Sequence, residues 1–313
     1  MKIVFMGTPQ AAVPMFKRII KDSHEVVAVY SQPDRPSGRG NKITFSPVKQ
    51  YALENGIEIL QPSKIKTPEA LETFRSHHAD VAVVVAYGRI LPESFLIAFP
   101  HGAINVHFSW LPKYRGAAPV NWAIANGETK TGVTTMKMDA GLDTGDILLQ
   151  NQTEIGPEET APELMERLSL MGAELLSETL SNLGSIVPRK QDDAKATFAP
   201  ILKRDDGLID WERSAWEINN RIRGFQPFPS SFTHYEGGRA TIWKAKIFDA
   251  TTSNKNLPGI VLSLEEKLIA VACGGNTVLL IEEIQPEGKR RMPAADFING
   301  SRLKIGDRFG AAK

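Results

Sequence analysis

The sequence predicts an α/β protein in two parts. The N-terminal part reads as a Rossmann-like, mostly parallel sheet, and the C-terminal part as a small antiparallel β-barrel, OB-like in size. Three observations carry this. The N-terminal half alternates short apolar runs with stretches of helical period, the pattern of strand–helix–strand units. After a polar, proline-bearing tract at 184–206 the texture changes to short alternating runs divided by Gly, Pro and Asn. The length, 313 residues, is about twice that of one ordinary domain. We therefore expect a first domain at 1–187, a linker at 188–206 and a second domain at 207–313.

Taken in order, residues 2–6 (KIVFM) are an apolar run stopped by Gly7, Thr8 and Pro9. A helical stretch from Ala11 to Ile20 and a strand at 24–31 complete a unit that should cross over right-handed. Residues 32–47 hold three prolines, two glycines and three basic residues, so a long exposed loop is expected. The run 79–86 (ADVAVVVA) is apolar and β-branched throughout, as suits a strand covered on both faces. Later strands are expected at 102–108, 132–138 and 146–150. A long helix follows at 159–182, with Thr160 as cap and Glu163 three residues on. Beyond 206 a helical piece around Ala215–Arg223 precedes four strand-like runs.

Composition excludes several classes. Apolar residues are 42% and charged residues 23%, which rules out a wholly disordered chain, a collagen repeat or a coiled coil. The longest apolar run, from Val81 to Tyr87, falls far short of the ~20 residues of a membrane span. The opening MKIVFMGTP has no secretory pattern, and one cysteine, Cys273, makes no internal disulfide. A cytoplasmic protein is expected, without membrane contact and acting as a monomer. Cys273 reads as core rather than nucleophile, and His77–His78 as solvated surface. Net charge is +1, divided as −3 over 1–187 and +4 over 188–313, so the second half could meet phosphates.

Chemistry concentrates in two stretches. The first turn, GTPQAA, lacks G-x-G-x-x-G, and no P-loop occurs, which disfavours a nicotinamide dehydrogenase. In INVHFSWLPKYRGAAPVNWAI, residues 104–124, Asn105, His107 and Ser109 fall at spacing two and share one face of a strand. An amide and an imidazole on one face can converge on a developing oxyanion. The plainer alternative is a hydrogen-bonded buried pair. In MDAGLDTGDIL, residues 138–148, Asp139, Asp143 and Asp146 lie among glycines. One of them could present a carboxylate to a site, all could be turn residues, and the spacing of a calcium loop is absent. A carboxylate beside His107 would orient the ring and stabilise its charged form.

These two stretches together closely resemble the folate-dependent formyltransferases. Three features resemble the members acting on methionyl-tRNA: SQPDRPSGRGNK at 31–42, MDAGLDTGDIL, and a C-terminal extension with FQPFPSSF and IWKAK. Members acting on glycinamide ribonucleotide lack that extension, and members acting on amino sugars usually differ in the aspartate loop. A local departure is Phe108-Ser109-Trp110, where the family more often has Gly-Ser-Leu.

The resemblance implies transfer of the formyl group of 10-formyltetrahydrofolate to the α-amino group of methionine on initiator tRNA, with no metal. Asn105, His107 and Asp143 match its catalytic positions. Ala86, Tyr87, Gly88, Ile90 and Leu91, with Ser109, Trp110, Leu111 and Pro112, match segments that border the folate. Arg35, Arg39 and Lys42 in the loop would reach the tRNA acceptor stem. Lys203, Arg204, Lys244, Lys246, Lys289, Arg290 and Arg291 in the second half could meet tRNA phosphates. A formyltransferase acting on a sugar nucleotide or a ribonucleotide, and a non-catalytic RNA-binding protein, are the competing readings.

Overall fold

The computed structural model describes residues 1–37, 42–248 and 257–310, with 35–37 and 42–43 as backbone only. The chain divides into two compact units. One comprises residues 1–119, 130–153 and 165–199; the other comprises 120–129, 154–164 and 200–313.

The first unit is built on seven strands: β1 (Lys2–Gly7), β2 (Glu25–Tyr30), β5 (Ile59–Leu60), β6 (Val81–Val85), β7 (Ala103–His107), β9 (Lys130–Lys137) and β10 (Ile147–Glu154). Their order is β10-β9-β7-β6-β1-β2-β5. Pairing is parallel from β7 through β6 and β1 to β2 and β5, and antiparallel between β7 and β9. The apolar runs explain the placement: every residue of β6 and β7 is buried, so these strands need cover on both faces.

One face is covered by α1 (Val13–Lys21), whose Val13, Met15, Phe16 and Ile19 recur at helical spacing and are buried. Phe16 stacks on Phe5 with ring centroids 4.8 Å apart. The other face carries Tyr30, Phe74, Phe95 and Phe99, with Phe74 on α3 (Pro68–Ser76), a helix capped by the Thr67 hydroxyl. The long helix α6 runs Ala161–Ser181, and Glu163 reaches back to the Thr160 N–H at 2.8 Å, as the sequence suggested. Two short pairings complete the unit. β3 (Arg35–Ser37) pairs antiparallel with β4 (Lys42–Thr44), and β8 (Arg115–Gly116) pairs in parallel with β11 (Phe198–Ala199). The latter strand lies inside the tract read as a linker.

The second unit holds β12 (Ser231–Tyr235), β13 (Gly238–Phe248), β14 (Val261–Ser263), β15 (Ile269–Cys273) and β16 (Thr277–Pro286), in the order β12-β13-β16-β15-β14, with β17 (Met292–Pro293) paired to β16. All these pairings are antiparallel. Helix α7 (Ala215–Gly224) opens with Ser214 and Glu217 in a reciprocal cap. Its Ile218 and Ile222 join Trp211, Ile242, Leu279, Ile281 and Phe309 in the core. Cys273 sits in that core, where burial pushes its thiol up to about 12, in keeping with a packing residue. Among the described residues no helix is long and apolar enough to cross a membrane.

One surface expectation is corrected. His77 is half-buried, not solvated, because its ring lies edge-on to Tyr30 and its Nε2 is 3.0 Å from the Tyr30 hydroxyl. Burial lowers its pKa against the opposing pull of Glu58, and burial lowers His24 as well. An unfolded imidazole titrates near about 6.5. Just below that pH the unfolded chain binds more protons than the folded one, so stability is full above it and falls as pH drops. We expect the thermal midpoint to fall between about pH 7.5 and about pH 5.5, and His77→Gln to make that fall shallower. A pH profile of the melting temperature checks it.

Candidate active site

The site forms where β7 leaves the sheet. Alternation along β7 puts Asn105 and His107 on one face, opposite Met136 and Thr134 of β9. Asn105 is 9% exposed and His107 5%. Asn105 belongs to a strand in which every residue is buried, and its carboxamide shares a strand face with the His107 ring. His107 is held from behind. Its Nε2 lies 2.9 Å from the Tyr114 main-chain oxygen, and a carbonyl only accepts, so Nε2 carries the hydrogen. Nδ1 is therefore the nitrogen not engaged by the main chain. It faces the Asp143 carboxylate, with 3.6 Å to Oδ2.

Asp143 is fixed in turn. Its Oδ2 accepts from the Gly116 N–H at 2.8 Å, and its main-chain oxygen accepts from the Gln191 side chain at 2.8 Å. The backbone is bent to achieve this. Tyr114 and Asp143 both sit in the left-handed region, with φ of 61° and 54°, and so does Ala86 at 47°. Such residues cost about 1–3 kcal/mol each and persist where surrounding structure dictates them. Gly116, at φ 123°, needs to be glycine: a Cβ there would meet the Ala199 main-chain oxygen at 2.5 Å.

The connecting turn 108–114 is anchored by residues the sequence reading did not single out. Thr134 Oγ1 donates to the Ser109 oxygen at 2.8 Å and accepts from the Leu111 N–H at 3.2 Å. Gln150 donates to the Leu111 oxygen at 2.9 Å, and the Tyr114 N–H donates to Thr197 Oγ1 at 2.9 Å. Paired polar residues in the apolar run GVTTMKM were the available sign. Arg115, buried, is neutralised by Asp193 at 2.7 Å.

The residues expected to border a folate divide by environment. Ala86, Gly88 and Ile90 are exposed, and Trp110 and Pro112 half-buried, so their edges are open. Tyr87 and Leu91 are buried in the core, and Tyr87 offers only main chain. Ile90 and Leu91 border a groove of about 590 Å³ that Lys66, Glu93 and Ala140 also line. Leu111 packs against Met136 and Ile147 with both main-chain groups engaged, and Ser109 Oγ donates to the Lys113 oxygen at 2.6 Å. These two hold the turn rather than present free polar edges. Phe108, the bulky departure, is 5% exposed and turned into the core.

The basic residues fall in several places. Arg39 lies outside the described residues; Arg35 and Lys42 belong to β3 and β4, described as backbone only. In the second unit Lys203 and Arg204 are exposed. Lys244 and Lys246 both pair with Glu282, at 3.1 and 3.4 Å, and Arg291 pairs with Glu283 above the Trp243 ring. Lys244, Lys246 and Arg291 line a groove of about 1150 Å³, whereas Lys289 and Arg290 line another of about 640 Å³.

We expect Gly116→Ala to lower activity severalfold more than it lowers folded population, because it displaces the N–H that places Asp143. Turnover and far-ultraviolet melting on the same sample measure the two effects.

Comparison with known proteins follows this geometry. Residues 1–180 match the formyl transferase family and residues 201–302 the formyl transferase C-terminal domain. Methionyl-tRNA formyltransferase of Solibacter usitatus is 50% identical over 312 residues, 99% of each chain. That of Geobacter metallireducens is 48% identical with the same coverage. Among solved structures, the sugar 3N-formyl transferase WlaRD, with dTDP and 5-N-formyl-THF present, superposes with a TM-score of 0.67 at 21% identity, covering 93% of this chain and 99% of that one. An N-formyltransferase of Helicobacter canadensis, in complex with folinic acid and dTDP-3-aminofucose, gives 0.65 at 19%, over 91% of this chain and 99% of that one. The last two share the fold; the first two, with both matched domains, show that the chain belongs to the formyl transferase family, among its methionyl-tRNA formyltransferases.

Proposed function

We propose that the chain moves the formyl group of 10-formyltetrahydrofolate to the α-amino group of methionine carried on initiator tRNA. The observation that carries the chemistry is the placing of Asn105 on one strand face with a His107 ring that is tied back through Nε2. The full-length relatives named for methionyl-tRNA support the acceptor, and the folate derivatives in the solved neighbours support the donor.

The donor supplies its one-carbon unit as a formamide. The amine of methionine forms the new C–N bond, the bond to the folate nitrogen breaks, and the amine's proton passes to that nitrogen. Negative charge gathers on the formyl oxygen as the amine adds. Asn105 donates to that oxygen from the strand that also carries His107. His107 Nδ1, protonated, donates beside it. The Asp143 carboxylate stands 3.6 Å from Nδ1, beside the nitrogen that would face the reacting group. With Asp143 held by the Gly116 N–H, the proton is kept at a set place.

Formyl transfer between two bound substrates needs neither a covalent enzyme intermediate nor a buried nucleophile. The charge pattern of the second unit agrees with a polyanionic acceptor, since Lys203, Arg204, Lys289 and Arg290 are exposed. Lys244 and Lys246 are already shared with Glu282 and have less to give.

Asn105→Ala should reduce kcat about 10²–10³-fold with little change in KM for either substrate, because its bond strengthens as charge develops. His107→Ala should cost as much or more, by the further ~10²–10⁴ of proton transfer. Formylation of methionyl-tRNA by 10-formyltetrahydrofolate is the assay; near-parental turnover by both variants would refute the mechanism. Affinity for tRNA should fall as salt rises. Charge reversal at Arg39 or Lys42 should weaken it more than reversal at Lys244, as filter binding across a salt series would show.

A further inference from the structure

The foot of the 32–47 loop is tied to the 86–92 segment through the Gln32 side chain and, by way of Thr8, through the Gln32 N–H. Both ends of the Gln32 carboxamide are spent on that segment: Nε2 donates to the Tyr87 oxygen at 3.0 Å, and Oε1 accepts from Arg89 Nε at 3.0 Å. The Gln32 N–H donates to Thr8 Oγ1 at 3.2 Å, and that hydroxyl donates to the same Tyr87 oxygen at 3.1 Å. Gly88 lies directly beneath, since a Cβ there would touch Gln32 Cγ at 3.7 Å.

The loop foot is itself a closed network. Gln61 Nε2 donates to the Gln32 oxygen at 2.7 Å and to Asp34 Oδ1 at 2.9 Å. Lys49 donates to Gln61 Oε1 at 2.7 Å and pairs with Asp34, and its ammonium lies 4.1 Å above the Phe45 ring. Gln61 first, then Lys49, holds the Asp34 carboxyl below its ordinary range. Ser31 and Ser46, at the two ends of the loop, meet through their hydroxyls at 2.7 Å, and Ser46 caps α2 (Pro47–Glu54). Strand end, loop start, loop end and the 86–92 segment therefore share polar atoms that have few alternative partners.

We infer that Gln32 is a positioning residue that couples the loop foot to the donor-binding segment, so that ordering of one is felt by the other. This rests on the reading of 86–92 as folate-bordering and of the loop as tRNA-facing. A donor settling against Ala86–Leu91 restrains the Tyr87 oxygen and the Arg89 guanidinium. Through Gln32 it then restrains the strand from which the loop springs, before any tRNA arrives. Such coupling is reciprocal in binding free energy.

Hydrogen exchange on the full chain, with and without 5-formyltetrahydrofolate as an unreactive probe, tests this. In the parent, the probe should slow exchange at least about threefold in peptides covering 86–92 and in those covering 31–34 and 44–49. In Gln32→Met, which keeps the bulk and removes both polar ends but leaves the Thr8 bridge, protection at 86–92 should remain and protection at the loop foot should be largely lost. Gln61→Met, which touches only the loop foot, should behave alike and serves if the first variant folds poorly. A side chain with a packing role alone would change both stretches together or neither. Protection at 86–92 without protection at the loop foot in the parent, or loop protection that survives in both variants, overturns the coupling. No protection at 86–92 in the parent overturns the donor assignment instead, and the coupling with it.

Discussion

The His107 ring is gripped through Nε2, on the side away from Asp143. The Tyr114 oxygen takes the Nε2 hydrogen, so the tautomer and the ring plane are set by main chain rather than by a mobile side chain. Everything nearby follows from that constraint. The chain must turn back after β7 to bring Tyr114 under the ring, which requires the anchors at Thr134 and Gln150 and a left-handed residue at 114. The next residues must reach β11, which gives Gly116 its close approach to Ala199 and frees its N–H for Asp143. The carboxylate therefore arrives as a consequence of the same turn that holds the imidazole.

The energetics favour a site of this kind. Asn105 and His107 are polar groups taken into a strand whose every residue is buried, between β6 and β9, and burying polar groups costs free energy. Strained backbone at 86, 114 and 143 adds to it. The aromatic cluster of Phe74, Phe95 and Phe99 and the stacked pair Phe5–Phe16 belong to the same unit and supply rigidity without polar demands. Precise placement is bought by dry packing on both sides of the sheet.

Much of this was legible in the sequence. The continuous apolar run at 79–86 announced a strand covered twice, and spacing two put Asn105 and His107 on one face. The change of texture beyond residue 206 announced the antiparallel strands β12–β16. Main-chain contacts were not legible: nothing about tyrosine at 114 says that its oxygen will hold a histidine. Spacing alone did not set Asp143 over Asp139 and Asp146, and only the family resemblance pointed to it, because a left-handed turn decides which of three carboxylates faces inward. Leu111 is apolar and could go either way; only its packing against Met136 and Ile147 shows that it faces the core. His77 looked exposed because a tyrosine 47 residues earlier in the chain gives no local signal.

The most direct measurement is the tautomer of His107, read by nitrogen-15 NMR of protein labelled in its histidine rings. With six histidines in the chain, the resonance is assigned by its loss in a His107→Asn sample. When the ring is neutral, the account requires the hydrogen on Nε2, with Nδ1 bare towards Asp143. A ring with its hydrogen on Nδ1 and Nε2 bare would contradict the assignment of the reacting nitrogen.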